Sequence, residues 1–157
     1  MEQPKQPHFN VIGQYIKDLS FENLAAKKVL DPKKEPIVEV NADVDYSKFD
    51  SMPNVPENTY EVVLSLTATM KVGDNPLFIA EAKYAGIVQF DQEPTEEQLE
   101  PIAYIEIPYY LFFETRNLVA SLANQSGFGP IVLRPVDFSE IYLKKSKHAD
   151  KLKEKIQ

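Results

Sequence analysis

Four stretches of this chain alternate apolar and polar side chains residue by residue, and that period of two limits the fold more than any other feature. The cleanest runs from Ile37 to Tyr46: Val38, Val40, Ala42, Val44 and Tyr46 fall on one side, Glu39, Asn41, Asp43 and Asp45 on the other. Successive side chains of an extended strand point to opposite faces, so such a run is a half-buried antiparallel strand. The run Thr59 to Val72 turns Tyr60, Val62, Leu64, Leu66, Ala68 and Met70 inward and Glu61, Ser65, Thr67 and Lys71 outward, with Val63 as the exception. GDNP at 73–76 is a turn signal, so this run and the next, Leu77 to Phe90, form a hairpin. In that last run Leu77, Ile79, Glu81 and Lys83 share one face and Phe78, Ala80, Ala82 and Tyr84 the other.

The remaining run, Asn10 to Asn23, contains YIKDLSFE at 15–22. Strict alternation puts Tyr15, Lys17, Leu19 and Phe21 on a packing face and Ile16, Asp18, Ser20 and Glu22 on a solvated one. Residues 24–36 follow as an irregular connection in which Pro32 and Pro36 prevent regular pairing.

From Pro94 the period changes. Thr95 is an N-cap, and Glu96 and Glu97 favour the positive end of a helix dipole. Pro101 and Pro108 interrupt the helix, and beyond Pro108 the segment is amphipathic: Leu111, Leu118, Val119 and Leu122 form a stripe, with Glu114, Asn117, Ser121 and Asn124 opposite, until Gly127 and Gly129 end it. VDFSEIYL at 136–143 marks a second helix start: Asp137 caps, Glu140 completes a capping box, and Val136 staples to Ile141. The pattern is α+β: a four-stranded antiparallel sheet with a long kinked helix and a shorter C-terminal helix packed on one side. A length of 157 residues suits a single domain spanning the chain, with a disordered arm at 1–8 and a lysine-rich mobile tail that frays at 144–157.

The net charge of −7 divides unevenly, with +4 in residues 144–157 and −11 in the rest. An acidic body repels nucleic acid backbones and attracts a basic protein partner, or merely keeps the chain dissolved. Cysteine is absent, which excludes disulfides, thiolate catalysis and cysteine-based zinc sites. The opening MEQPKQPHFN lacks the apolar run of a signal peptide and no segment is apolar enough to span a membrane, so the expectation is a cytoplasmic protein without membrane insertion. His8 and His148 both fall in the tails, which argues against a histidine base or a paired-histidine metal site, and no glycine-rich phosphate loop occurs. No catalytic residue, metal or cofactor is expected. Tyr109, Tyr110, Phe112 and Phe113 point around most of a helix circumference, more than one sheet can cover. They meet a second copy of the chain, the underside of the 24–36 connection, or a flexible ligand in an apolar groove.

YIKDLSFE, YEVVLSLTATM (60–70), FIAEAKYAGIVQF (78–90), the P-x-x-LF-x-x-x-R pattern from Pro108 to Arg116 and LRPVDFSEIY (133–142) occur together in this order. In this the chain resembles the SecB family of bacterial protein-export chaperones. The resemblance implies a homotetramer, built as a dimer of dimers, with no enzymatic activity. Such a protein is an ATP-independent holdase: it binds unfolded precursor proteins in apolar grooves and delivers them to the SecA motor. It also implies SecA docking at Asp18, Glu22, Ile79 and Glu81, an oligomer interface at Ala80, Ala82 and Tyr84, and a client groove at Leu30, Tyr109, Tyr110 and Phe113. The chain departs from many relatives in having Phe113 where they carry a second proline, and Lys33, Lys34 and Glu35 where they carry an aromatic before strand two. Two other readings remain: a SecB-like chaperone that guards an antitoxin, and a ligand-binding protein of the hot-dog type, with an enclosed cavity and Glu114 or Asn117 at its mouth.

Overall fold

A computed structural model describes residues 5–25 and 33–156. Strands β1 (Phe9–Asn23), β2 (Ile37–Lys48), β3 (Thr59–Val72) and β4 (Asn75–Phe90) form one antiparallel sheet in the order β1-β4-β3-β2, which leaves β1 and β2 as its edges. The β3–β4 hairpin pairs Val72 with Asn75 across a two-residue turn, and Gly73 has φ +60° at its first position, where a type II′ turn takes glycine.

Helical structure covers one face. Thr95 caps α1 (Glu96–Pro101) through a capping box with Gln98. A π-helical turn (Ile102–Glu106) then leads into α2 (Ile107–Gln125). The prolines explain that turn: Pro108 has no N–H to give the carbonyl four residues back, and the Ile107 N–H bonds the Ile102 carbonyl five residues back. The kink expected at Pro108 is therefore realised as a widened turn just before it. Val62, Leu64, Leu66, Ala68, Phe78, Ala80 and Ala82 from the sheet bury against Ile102, Ile107, Leu111, Phe112 and Val119. Gly86 permits the approach, since a Cβ there would lie 2.8 Å from Leu111 Cδ2.

The last helix, α3 (Phe138–Ile156), is anchored by Phe138, which is fully buried with its ring against Tyr109 and Phe112. Tyr104 stacks on Tyr142 and meets Tyr46 edge-on, and Tyr142 donates to Glu100. Lys145 clips the helix to the β2 edge: its Nζ donates to the Val44 carbonyl at 2.6 Å and pairs with Asp43 at 2.8 Å. α3 runs through the lysine-rich segment to Ile156. One expectation needs correction: Asp137 does cap, accepting from the Glu140 N–H, but the Glu140 carboxylate pairs with Lys144. Residues 5–8 lie against the loop after β4: His8 and Asp91 exchange hydrogen bonds, and Gln92 donates to the Lys5 carbonyl.

Candidate functional site

The uncovered face of the sheet is set by strand register. Asp18 lies opposite Lys83, Ser20 opposite Glu81 and Glu22 opposite Ile79, while Glu81 and Ile79 lie opposite Thr67 and Thr69 of β3. All of these have the parity that points away from the helices. Asp18, Glu22, Ile79 and Glu81 thus share one surface across two adjacent strands, and Asp18, Glu22 and Glu81 are exposed. Glu39, Asp43 and Asp45 extend the acidic row on β2, partly neutralised by Lys71 and Lys145.

Strict alternation fails in the first half of β1. The register shifts between Val11 and Gly13 and again between Ile16 and Asp18, so Ile12 and Lys17 are extra residues. Between these bulges the faces exchange. Tyr15, opposite Ala85, points outward with Asp18 and Glu22, and Ile16, opposite Tyr84, points to the helix side. The parity read for Tyr15 and Ile16 is thereby reversed, whereas that of Asp18, Leu19, Phe21 and Glu22 stands.

Tyr15 and Lys17 converge on Glu61. The tyrosine hydroxyl donates to one carboxylate oxygen and Lys17 Nζ to the other at 2.6 Å. Glu61, expected in solvent, is only 8% exposed. Burial alone would raise its pKa, but hydrogen bonds from Lys17 and Tyr15 outweigh that and hold it below the usual carboxylate range. Burial and the bond to Glu61 push the Tyr15 hydroxyl up to about 12. Neither alternation nor spacing marks this cluster, because it depends on a bulge.

On the helix side, α2 buries Leu111 and Phe112 and leaves Tyr109, Tyr110 and Phe113 exposed. Tyr110 meets Phe9 edge-on and lines a cleft of about 410 Å³ between residues 6–11 and Glu106. Arg116 lies 5.3 Å from the Phe113 ring centroid. A larger cleft, about 900 Å³, was not anticipated; it lies beside the open edge of β2 and is lined by Ile37, Val38, Val40, Val132, Val136 and Ile141 among others. Leu30 lies outside the described residues. Of the three interface candidates, Ala80 and Ala82 are buried in the core of this single chain and Tyr84 is partly exposed, its hydroxyl near Gln14. The hot-dog reading does not fit: Leu111 fills the space over the sheet at Gly86, and Glu114 and Asn117 are both exposed.

Among the described residues no group of acids and histidines is placed to hold a metal ion, and no helix is long and apolar enough to cross a membrane. The fold defines an α+β protein with two distinct exposed surfaces, one acidic on the open sheet face and one aromatic on the helix layer. Comparison with known proteins specifies the class. The family model described as preprotein translocase subunit SecB matches residues 2–149. The SecB protein-export protein of Roseobacter denitrificans is 37% identical over 142 residues, covering 89% of this chain and 82% of the relative. That of Dechloromonas aromatica is 36% identical over 145 residues, covering 92% and 91%. A solved SecB-like chaperone of Mycobacterium tuberculosis, in complex with an antitoxin peptide, has the same fold with TM-score 0.66 at 15% identity, covering 82% of this chain and 91% of that one. The chain belongs to the SecB family of protein-export chaperones, which are not enzymes.

Proposed function

We propose that this protein is an ATP-independent holdase of the cytoplasm: as a homotetramer, a dimer of dimers, it keeps precursor proteins unfolded and hands them to SecA. The observation that carries the reading is the row Tyr109, Tyr110 and Phe113, exposed on a helix whose adjoining Leu111 and Phe112 are buried. Exposed aromatics grouped in this way mark a contact surface. The cleft beside β2 suits extended chain too, because an unpaired strand edge offers backbone hydrogen bonds and Ile37 and Val132 offer apolar contact. Burial contributes roughly 25 cal/mol per Å² of apolar client surface, against about 2–5 kcal/mol for ordering a disordered segment, so a long groove holds clients with little demand on sequence.

Asp18, Glu22, Ile79 and Glu81 are the proposed SecA-docking residues, and Tyr84 is the interface candidate that reaches the surface. The deciding experiment adds the protein to a refolding, signal-bearing precursor without nucleotide. Slowed folding is expected, and an unchanged folding rate would overturn the holdase reading. Sedimentation at micromolar concentration is expected to give a tetramer; a monomer would remove the assembly.

A further inference from the structure

Tyr15 and Asp18 are three residues apart, so an unbroken strand would put them on opposite faces. The bulge at Lys17 puts them on the same face, and Glu61 engages both Tyr15 and Lys17. From this we infer that the docking surface continues past Asp18 to the ring of Tyr15, and that Glu61 is the positioning residue that holds it there. The inference rests on the docking reading above and adds one contact residue and one support to it.

The occupant is a basic partner segment. Along the outer row of β4, Ile79, Glu81, Lys83 and Ala85 succeed one another, facing Glu22, Ser20, Asp18 and Tyr15 of β1. A segment laid along this row meets the carboxylates of Glu22, Glu81 and Asp18 and then an aromatic ring, 37% exposed, on which an arginine or lysine can rest. Two cations face this path. Lys83 is exposed within the row, whereas Lys17, next to Asp18, is drawn toward β3 by the Glu61 carboxylate at 2.6 Å. Glu61 therefore acts twice: it fixes the tyrosine outward and neutralises a charge that would repel the partner.

The test measures affinity for purified SecA at low salt and, in parallel, retardation of precursor refolding. Asp18→Lys is the control for the docking reading. Tyr15→Ala is expected to weaken SecA binding about tenfold with client holding unchanged. Glu61→Ala should weaken it at least as much, because it releases the tyrosine and leaves Lys17 unneutralised; in a Lys17→Ala background, adding Glu61→Ala to Tyr15→Ala should cost nothing further, because there Glu61 acts through the tyrosine alone. If Asp18→Lys weakens SecA binding while Tyr15→Ala does not, the extension is wrong and the docking site stands. If Asp18→Lys has no effect, both fall. Equal losses of SecA affinity and client holding in Tyr15→Ala would make the cluster a support of the fold alone.

Discussion

At the scale of single residues, the informative side chains are two acids that accept from tyrosines, one of them buried and the other half-exposed. Glu61 and Glu93 each accept a hydrogen bond from a tyrosine, Tyr15 and Tyr60 respectively, and each phenol is pushed up to about 12 by burial first and by the carboxylate second. A phenol whose folded pKa exceeds its unfolded value of about 10 contributes stability that is complete below pH 10 and lost as pH rises toward 12. Glu61 behaves oppositely: held below the usual carboxylate range, it contributes above that range and loses its contribution as pH falls through its folded pKa. Urea midpoints measured from pH 9 to 12 should therefore decline for the wild type and decline less steeply for Tyr15→Phe, which has no phenol to ionise there. Parallel curves would show that the Tyr15–Glu61 bond does not form in solution.

At the scale of elements, helix placement depends on a missing side chain. Gly86 lies where a Cβ would come within 2.8 Å of Leu111, a residue with no exposed surface. Alanine demands only that the tip of Leu111 shift; valine adds two methyl groups to a closed contact, for which overpacking costs of about 1–3 kcal/mol are typical. Gly86→Val should lower the denaturation midpoint accordingly, Gly86→Ala much less, and equal effects would mean that α2 does not sit so close. Much of this element-level structure was legible in the chain. β2 and β3 follow their alternation throughout, because both stay in register apart from the shift at Lys71. Thr95, Pro108 and Asp137 correctly marked helix starts. Strand order was not legible, since alternation gives faces and not neighbours. Nor were the bulges at Ile12 and Lys17: each adds a residue that no local chemistry announces, and only the pairing of Phe9 with Phe90 and of Phe21 with Ala80 reveals that two are needed. The same blindness hid Glu61, whose partners sit on a distant strand. Asp18, Glu22, Ile79 and Glu81, the residues proposed for docking, could be placed on one face from alternation because they lie outside the bulged segment. The buried stripe of α2 is rotated from the one expected, with Phe112, Thr115 and Ala123 inside and Leu118 and Leu122 at its flank, because the π-helical turn and the docking of Phe138 both act at its start.

At the scale of the whole molecule, the sheet separates the two surfaces for which contact roles are proposed. The acidic row lies on its outer face, while Tyr109, Tyr110 and Phe113 belong to the helix layer on the other. On the proposed reading, a client held on the aromatic side would leave the carboxylates uncovered, so a loaded chaperone would still present its partner-facing surface, and charge would steer that encounter within a screening length of about 8 Å at physiological salt. The separation predicts that the two activities can be removed independently. Replacing Tyr109, Tyr110 and Phe113 together with serine removes three rings that are 43%, 59% and 56% exposed; Phe138 loses its contact with Tyr109 but keeps that with Phe112, so the fold should survive with a lowered denaturation midpoint. Removing exposed aromatic contacts should cut affinity for an unfolded precursor at least tenfold, by analogy with anchors of other binding surfaces, while affinity for SecA at low salt stays at the wild-type value. Glu81→Lys should do the reverse. Sedimentation of the serine variant distinguishes the remaining possibility: if the assembly dissociates, the three rings join copies of the chain and the client surface lies elsewhere, with the β2 cleft as the next place to mutate. A tetramer that still binds precursor at wild-type affinity would remove the aromatic row from the holding surface altogether.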